Sequence, residues 1–194
     1  MRPKRAGGSE AQQRILETAD RLFYQDGIRA VGIDRIIAES RAAKMTLYAH
    51  FPSKDDLIVA VLRYREERML EFFRSAMERH GKKAKTSLRA FFAALKEWFE
   101  TPGFRGCAFQ NAAAELADPS HAGARFVRDH KRRFAGLLHD FVEESIGKEA
   151  AKLAPMIALL VEGAIVTAVI HGTAGAAEVA RDAALKLVAD AKGS

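Results

Sequence analysis

Apolar residues recur at helical spacing along nearly all of this 194-residue chain, and no stretch shows the sustained alternation typical of a half-buried strand. The chain is rich in Ala, Leu, Glu, Lys and Arg, which favour helices. Glycines and prolines, such as Gly27, Pro52 and Pro102, interrupt the apolar stripes. The pattern therefore predicts an all-α protein.

Start and stop signals divide the chain into about nine helices. Ser9 and Gln12 match a capping box for the first helix, and Ser53 is a good N-cap for a long fourth helix. Asp118-Pro119 predicts the N-cap and first residue of the seventh. The predicted helices are 10–25, 33–40, 44–50, 54–80, 86–100, 105–117, 119–146, 149–171 and 175–191.

The charge of the chain is concentrated at its front. The formal net charge is +6, and residues 1–54 hold ten Lys and Arg against six Asp and Glu. This excess permits an anionic partner without proving one. A single cysteine, Cys107, excludes an intrachain disulfide framework, and the basic N-terminus lacks the apolar segment of a secretory signal. A cytoplasmic protein is expected.

Residues 153–170 are apolar enough to require a membrane test. Pro155, Glu162 and Thr167 interrupt the run, and a carboxylate near the centre of a membrane span costs roughly 2.5–3.5 kcal/mol. We interpret the segment as a helix buried in a core or a subunit interface, and no membrane partner is expected.

Residues 33–51 have the layout of a helix-turn-helix, with two short helices separated by a three-residue break. Ile33, Ile36 and Ile37 can face inward from the first, and Leu47 and Phe51 from the second and its end. Five side chains remain outward, and such side chains can contact phosphates or base edges in a DNA major groove. They are Lys44, Met45, Thr46, Tyr48 and His50. The alternative is a solvated polar face on an ordinary three-helix unit.

The run Met-Thr-Leu-Tyr-Ala-His-Phe-Pro-Ser-Lys-Asp-Asp-Leu at 45–57 adds a more specific signal. With it, residues 9–62 resemble the N-terminal domain of TetR-family transcriptional regulators. The resemblance implies a three-helix DNA-binding domain followed by a helical ligand-binding and dimerisation domain. It implies a homodimer on a near-palindromic double-stranded DNA operator. The residues matching the DNA face of the family are Lys44, Met45, Thr46, Tyr48 and His50, and Lys54 matches a phosphate contact.

Three positions depart from the family pattern. Arg41 stands where the turn usually has glycine, Ala43 where Ser or Thr often caps the recognition helix, and Gly32 where Ser or Thr precedes the second helix. Weaker capping costs about 1 kcal/mol at each of the last two. Arg41 either takes a left-handed conformation or adds a phosphate contact.

The resemblance divides the chain into a basic tail at 1–8, a DNA-binding domain at 9–54 continued by helix four to about 80, and a C-terminal domain at 84–191. The tail carries Arg2, Lys4 and Arg5 before two glycines. It is either a flexible arm that follows the phosphate backbone or enters the minor groove, or a disordered solubilising segment.

An effector pocket in the C-terminal domain would be mostly apolar with a few polar groups. No cofactor or metal is expected, and the identity of the small-molecule effector does not follow from the sequence. Each pocket candidate also has an alternative as plain core, and the partner of Glu162 could equally be an Arg across a subunit interface. The candidates are Phe92, Trp98, Cys107, Asn111, His130, Phe134 and Glu162.

Homodimerisation is expected through the helices near 119–146 and 149–172, which carry wide apolar surfaces. By twofold symmetry the same patch would serve both subunits. The alternative is that these faces only close the core of one chain. The residues predicted at the interface are Val127, Phe134, Leu138, Phe141 and Val142 on helix seven, and Leu159, Ala164, Ala168 and Gly172 on helix eight.

An enzyme is not expected, because no local signature joins Cys107 to a histidine and no phosphate-binding glycine loop is present. The sequence therefore predicts a DNA-binding transcriptional regulator, with repression by a ligand-responsive dimer as the favoured mode. The alternative is a helical small-molecule-binding protein without operator recognition.

Overall fold

The computed structural model describes residues 10–147 and 150–193, and this part of the chain forms nine α-helices and no strand. The predicted fold class is confirmed. The helices are α1 Glu10–Asp26, α2 Ile33–Ser40, α3 Lys44–His50, α4 Lys54–Gly81, α5 Ser87–Phe99, α6 Ala108–Glu115, α7 Ala122–Ile146, α8 Ala150–His171 and α9 Ala176–Gly193. The basic tail and the Ser9 cap lie outside the described residues.

The predicted start of α7 at residue 119 is wrong. The carboxylate of Asp118 accepts hydrogen bonds from the backbone N–H and the hydroxyl of Ser120, both at 2.8 Å, and so forms a local turn instead of a cap. His121 takes the capping role, since its Nδ1 accepts the N–H of Gly123 at 2.9 Å and its carbonyl accepts from Arg125. The helix therefore starts three residues late, at Ala122.

The predicted α6 is also too long at its N-terminal end. Gly106 has a φ of +84° and is buried, and a Cβ at this position would lie 2.9 Å from a methyl group of Val169. The absence of a Cβ permits this close approach, and the left-handed backbone of Gly106 is incompatible with a right-handed helix. The helix begins only at Ala108, after this contact.

The chain divides into two compact units. The N-terminal unit comprises the described residues up to Glu66 together with Ala108–Val127, and the C-terminal unit comprises Glu67–Cys107 and the described residues from Arg128 onward. The chain therefore passes between the units at three points, once within α4, once before α6 and once within α7.

The core of the N-terminal unit is built from the apolar stripes of its short helices. Ile15 and Leu22 of α1, Ile36 of α2 and Leu47 of α3 are all fully buried. These side chains fix the angle between α2 and α3, because close-packed interiors tolerate few alternative arrangements.

A buried ion pair and a hydrogen bond from the backbone to a side chain reinforce this unit. Asp20 of α1 is 6% exposed and pairs with Arg65 of α4, whose guanidinium lies 3.9 Å from the centre of the Tyr24 ring. The Oε2 of Glu115 in α6 accepts the backbone N–H of Arg29 at 2.8 Å. Residues far apart in sequence therefore join α1 to α4 and hold the segment between α1 and α2.

The C-terminal unit is built around aromatic side chains and α8. Phe91 stacks on Phe73 with ring centres 5.6 Å apart, and Trp98 meets Phe73 and Phe104 edge to face. The buried residues of α8 recur every three or four positions from Ala154 to Ala168. They form one apolar face of the helix against the core.

Part of the predicted dimer surface is wrong, because several of its residues lie in the core of a single chain. The alternative of a core role holds for Val127, Leu138, Val142, Ala164 and Ala168, all no more than 5% exposed. Among the predicted α8 residues, Leu159 is 74% exposed and Gly172 is exposed. Phe134 and Phe141 are half-buried.

Within the described residues, α8 is the one helix long and apolar enough to cross a membrane, and one third of its most apolar window is buried. Such a helix is also common in the cores of soluble proteins, so its length and composition do not identify a span.

Candidate nucleic-acid interface

The helix-turn-helix is formed by α2, the turn at 41–43 and α3. Gly32 and Ala43 occupy the N-cap positions in extended conformations, and neither gives a side-chain hydrogen bond to its helix. The predicted absence of side-chain caps is confirmed. Burial of Ile36 and Leu47 must therefore stabilise these helices, because helices of eight and seven residues are marginal by themselves.

Arg41 takes the left-handed conformation that the sequence left open. It has φ 53° and ψ 34°, and it is the single non-glycine residue with positive φ among those described. Its N–H donates to the carbonyl of Ile37, as does that of Ala42 at 3.3 Å. The αL residue thus ends α2 and redirects the chain into α3, as glycine usually does.

Most of the predicted DNA-facing side chains of α3 are accessible. Met45 is 85% exposed and Tyr48 41% exposed, and Lys44 is also exposed. Thr46 and His50 are half-buried. The fully buried Leu47 faces the opposite side. The helix is therefore held by its buried side and exposes both hydrogen-bonding and apolar groups on the other side.

Lys54 is held in place at the start of α4. Its Nζ donates to the carbonyl of Ile28 at 2.7 Å and lies 5.9 Å from the centre of the Phe23 ring. An ammonium group has three N–H donors, so donors remain for a phosphate oxygen. As predicted, Ser53 caps α4, and its Oγ accepts the N–H of Asp56 at 3.1 Å.

Asp34 is a polar residue of this surface that the sequence analysis did not select. It lies in the first turn of α2, with its Oδ1 3.5 Å from the Nζ of Lys44. The two side chains are 90% and 65% exposed. In the sequence, Asp34 looks like an ordinary acidic residue at a helix start, and its contact depends on the angle between α2 and α3.

The effector-pocket candidates do not form one group. Asn111 belongs to the N-terminal unit, where it lines a small, mostly apolar cavity, whereas the other candidates belong to the C-terminal unit. Phe92 and Trp98 are part of the aromatic cluster, and His130 is 4% exposed.

The three remaining candidates, Cys107, Phe134 and Glu162, meet at Lys131 of α7. Its Nζ donates to the carboxylate oxygens of Glu162 at 2.7 and 2.8 Å, and lies 3.8 Å from the sulfur of Cys107. The ring centre of Phe134 is 5.7 Å away. Glu162 thus has a partner in the same chain. Lys131 could have been selected from its helical spacing between Val127 and Phe134, on an otherwise apolar stripe.

Comparison with known proteins supports a regulator. Residues 15–61 match the family model described as bacterial regulatory proteins, tetR family, and residues 84–184 match that described as tetracyclin repressor-like, C-terminal domain. The crystal structure of a TetR-family transcriptional regulator from Streptomyces coelicolor is 31% identical. It covers 94% of this chain and 96% of that one with a TM-score of 0.83.

Two curated proteins of Bacillus subtilis show different extents of similarity. The HTH-type transcriptional regulator LmrA is 27% identical over 163 residues, which cover 80% of this chain and 85% of that protein. The uncharacterized HTH-type transcriptional regulator YxaF is 39% identical over 56 residues. That alignment covers 28% of this chain and 29% of YxaF.

Proposed function

This chain belongs to the tetR family of bacterial regulatory proteins, which are DNA-binding transcriptional regulators, and we propose that it is a ligand-responsive repressor. It binds a near-palindromic operator as a homodimer in the cytoplasm. The observation that carries this proposal is the exposed surface of α3. Lys44, Met45 and Tyr48 lie on this surface, and the buried Leu47 packs on the opposite side of the helix.

The DNA contacts follow from the chemistry of these side chains. Lys44, Thr46, Tyr48 and His50 offer hydrogen-bonding groups, and Met45 offers an apolar contact for a thymine methyl group. Lys54 contacts a phosphate. Residues 9–54, continued by helix four to about 80, serve as the DNA-binding domain, and residues 84–191 as the effector and dimer domain. The family-model matches at 15–61 and 84–184 support this division.

A second copy of this chain covers the exposed face of α8. Met156, Leu159, Gly163, Val166 and Ile170 are all exposed and follow one another at spacings of three and four residues. This is the spacing of a helix–helix seam. Large exposed apolar surfaces mark interaction sites, and a twofold axis lets the same stripe serve both subunits. We name these five residues the α8 stripe.

The effector binds in the C-terminal domain, beside the ion pair of Lys131 and Glu162. A half-buried charged pair next to Cys107 and Phe134 supplies the few polar groups that an otherwise apolar site needs. Successive major grooves on one side of the duplex lie about 34–36 Å apart. The effector favours a dimer conformation in which the two copies of α3 no longer have this separation. The affinity of the dimer for the operator then falls, at most by the ratio of the effector's affinities for the two conformations of the dimer.

The shift is transmitted by α4. This helix begins at Lys54 in the N-terminal unit and ends in the C-terminal unit, so it belongs to both.

Operator recognition is tested by fluorescence anisotropy with a duplex selected from a random library and with an unselected duplex, at physiological salt. The wild type is expected to prefer the selected duplex by about 1000-fold. Lys44→Ala and Tyr48→Ala should lose most of this preference. Lys82→Ala, which removes an exposed charge from the loop after α4, is the matched control and should retain it.

The proposal fails if the wild type binds the selected and unselected duplexes equally. The chain would then act as a helical binding protein without operator recognition.

A further inference from the structure

The ion pair between the exposed side chains of Asp34 and Lys44 contributes little to folding. The two charged atoms are 3.5 Å apart and both side chains are mostly in water. Exposed pairs of this kind contribute little to stability, because water screens the charges and two flexible side chains must be ordered. The neighbouring Arg35 instead pairs with Asp26 and Glu39, at 2.8 and 2.9 Å.

A carboxylate in this position also opposes general DNA binding. Contact with the phosphate backbone is driven by cationic side chains and the release of counterions. Asp34 offsets the charge of Lys44 on the surface proposed to meet DNA. A carboxylate there weakens binding to every duplex unless a base supplies a hydrogen-bond donor to it.

A G·C base pair supplies both partners that the two side chains require. In the major groove, cytosine presents its N4 amino group as a donor, and guanine presents O6 and N7 as acceptors. The O6 and N4 atoms share a Watson–Crick hydrogen bond and are therefore about 2.9 Å apart. The Asp34 oxygen and the Lys44 nitrogen lie 3.5 Å apart, close enough to reach neighbouring groups of one base pair, and have the opposite arrangement of acceptor and donor.

An A·T pair fits less well. Adenine places the acceptor N7 beside its N6 amino group, so a carboxylate on N6 also faces a lone pair. Thymine offers Lys44 a single acceptor, O4, with a methyl group beside it. On the cytosine ring the neighbour of N4 is C5–H, which has no lone pair, and the guanine O6 on the other side is the acceptor for Lys44.

We propose that Asp34 and Lys44 together read one G·C pair in each half of the operator. Asp34 accepts a hydrogen bond from cytosine N4, and Lys44 donates to guanine O6 or N7. The inference rests on the proposed function and adds a specificity-determining residue from α2 to the contacts of α3. The low stability of the exposed pair lets both side chains turn toward the bases.

The test is selection of binding sites from a library of random duplexes by the full-length protein. The wild type should select one strongly preferred G·C pair per half-site. Asp34→Ala should accept any base pair at that position and bind the wild-type duplex roughly tenfold more weakly. Asp34→Asn should change the preference toward adenine, because an amide both donates and accepts.

Glu17→Gln is the matched control, since it removes an exposed negative charge from α1, where Glu17 bonds Gln13. It should keep the wild-type base preferences. Circular dichroism at the temperature of the binding assay should show Asp34→Ala folded like the wild type, which separates a loss of recognition from a loss of folding.

The inference is overturned if Asp34→Ala selects the same bases at every position and binds as tightly as the wild type or more tightly. Asp34 would then only restrain Lys44. A wild type that selects no preferred sequence would contradict both this inference and the proposed function. The two failures are therefore distinguishable, because the first one leaves the base preferences of the wild type intact.

Discussion

At the residue scale, Arg41 shows how a single backbone conformation sets the path of the chain from α2 into α3. An L-residue in the αL region is less stable than glycine there, because its Cβ crowds the following carbonyl. The fold keeps this conformation because Ile36 and Leu47 are fully buried on either side of the turn.

Arg41→Gly is expected to raise stability by about 1 kcal/mol, since glycine adopts positive φ without the Cβ clash. For a chain of this length that corresponds to a rise in the thermal midpoint of about 2–4 °C. Arg41→Ala removes the same charge but keeps the Cβ, and should show no such rise. Equal midpoints for the two variants would show that the conformation carries no strain.

The sequence predicted which side chains of α3 are exposed but not all of their contacts. Lys44, Met45 and Tyr48 could be predicted because helical spacing alone separates them from Leu47. The Asp34–Lys44 contact could not, because it depends on the angle between two helices. The pairing of Lys131 with Glu162, 31 residues away, likewise required the packed structure.

At the element scale, α6 supports the segment before α2 through one carboxylate. Glu115 accepts the N–H of Arg29 from 86 residues away. Gly27, with φ +93°, makes room for it, since a Cβ there would lie 3.1 Å from the Glu115 Oε2. Helix spacing could predict α1 and α2, but not a contact between elements so distant in sequence.

Glu115→Ala is therefore expected to expose the Arg29 amide and to cost about 1 kcal/mol of stability. Hydrogen exchange at Arg29 should become faster than in the wild type. Glu115→Gln keeps an acceptor oxygen without the charge and should have a smaller effect. An unchanged exchange rate at Arg29 in the alanine variant would rule out this support.

The contact between α4 and α5 depends on pH through Glu97. Burial raises the pKa of Glu97, but hydrogen bonds from His80 and Arg79 outweigh it and bring the pKa below its ordinary value of 4.5. Its Oε2 lies 2.8 Å from the Nε2 of His80. When folding lowers the pKa of a carboxyl group, the ionised group stabilises the fold at pH values above its ordinary pKa. This stabilisation is lost as the pH falls through the lowered pKa of the folded state.

Glu97→Gln should consequently lower the thermal midpoint at about pH 6 and have a progressively smaller effect toward about pH 3. Thermal unfolding of the wild type and the variant across this range measures the difference. A difference that stays constant with pH would mean that the ionised carboxylate does not stabilise the contact.

At the scale of the whole molecule, the described helices leave one long apolar surface on α8 without a partner in the same chain. Leu159 and Ile170 are 74% and 70% exposed. Helical spacing predicted α8 as an apolar helix, but it could not show which of its two apolar faces packs in the core. The face that contains Ala164 and Ala168 is the buried one, and the α8 stripe lies on the opposite side of the helix.

Leu159→Arg combined with Ile170→Arg is expected to convert a dimer into a monomer, because paired subunits would place like charges close together on the α8 stripe. Sedimentation velocity at micromolar concentration measures the change. Leu70→Arg on α4, where the leucine is 51% exposed, is the control and should stay dimeric. A dimer that survives both stripe substitutions would place the interface elsewhere.

The most direct measurement tests whether the two copies of α3 in a dimer bind one operator at the same time. Binding isotherms would compare three duplexes: a selected inverted repeat, the same repeat with five extra base pairs between its halves, and a random duplex. That insertion turns one half-site to the opposite side of the duplex. The wild type should lose about 100-fold in affinity, approaching its affinity for a random duplex. Equal affinity for all three duplexes would contradict operator recognition by a symmetric pair.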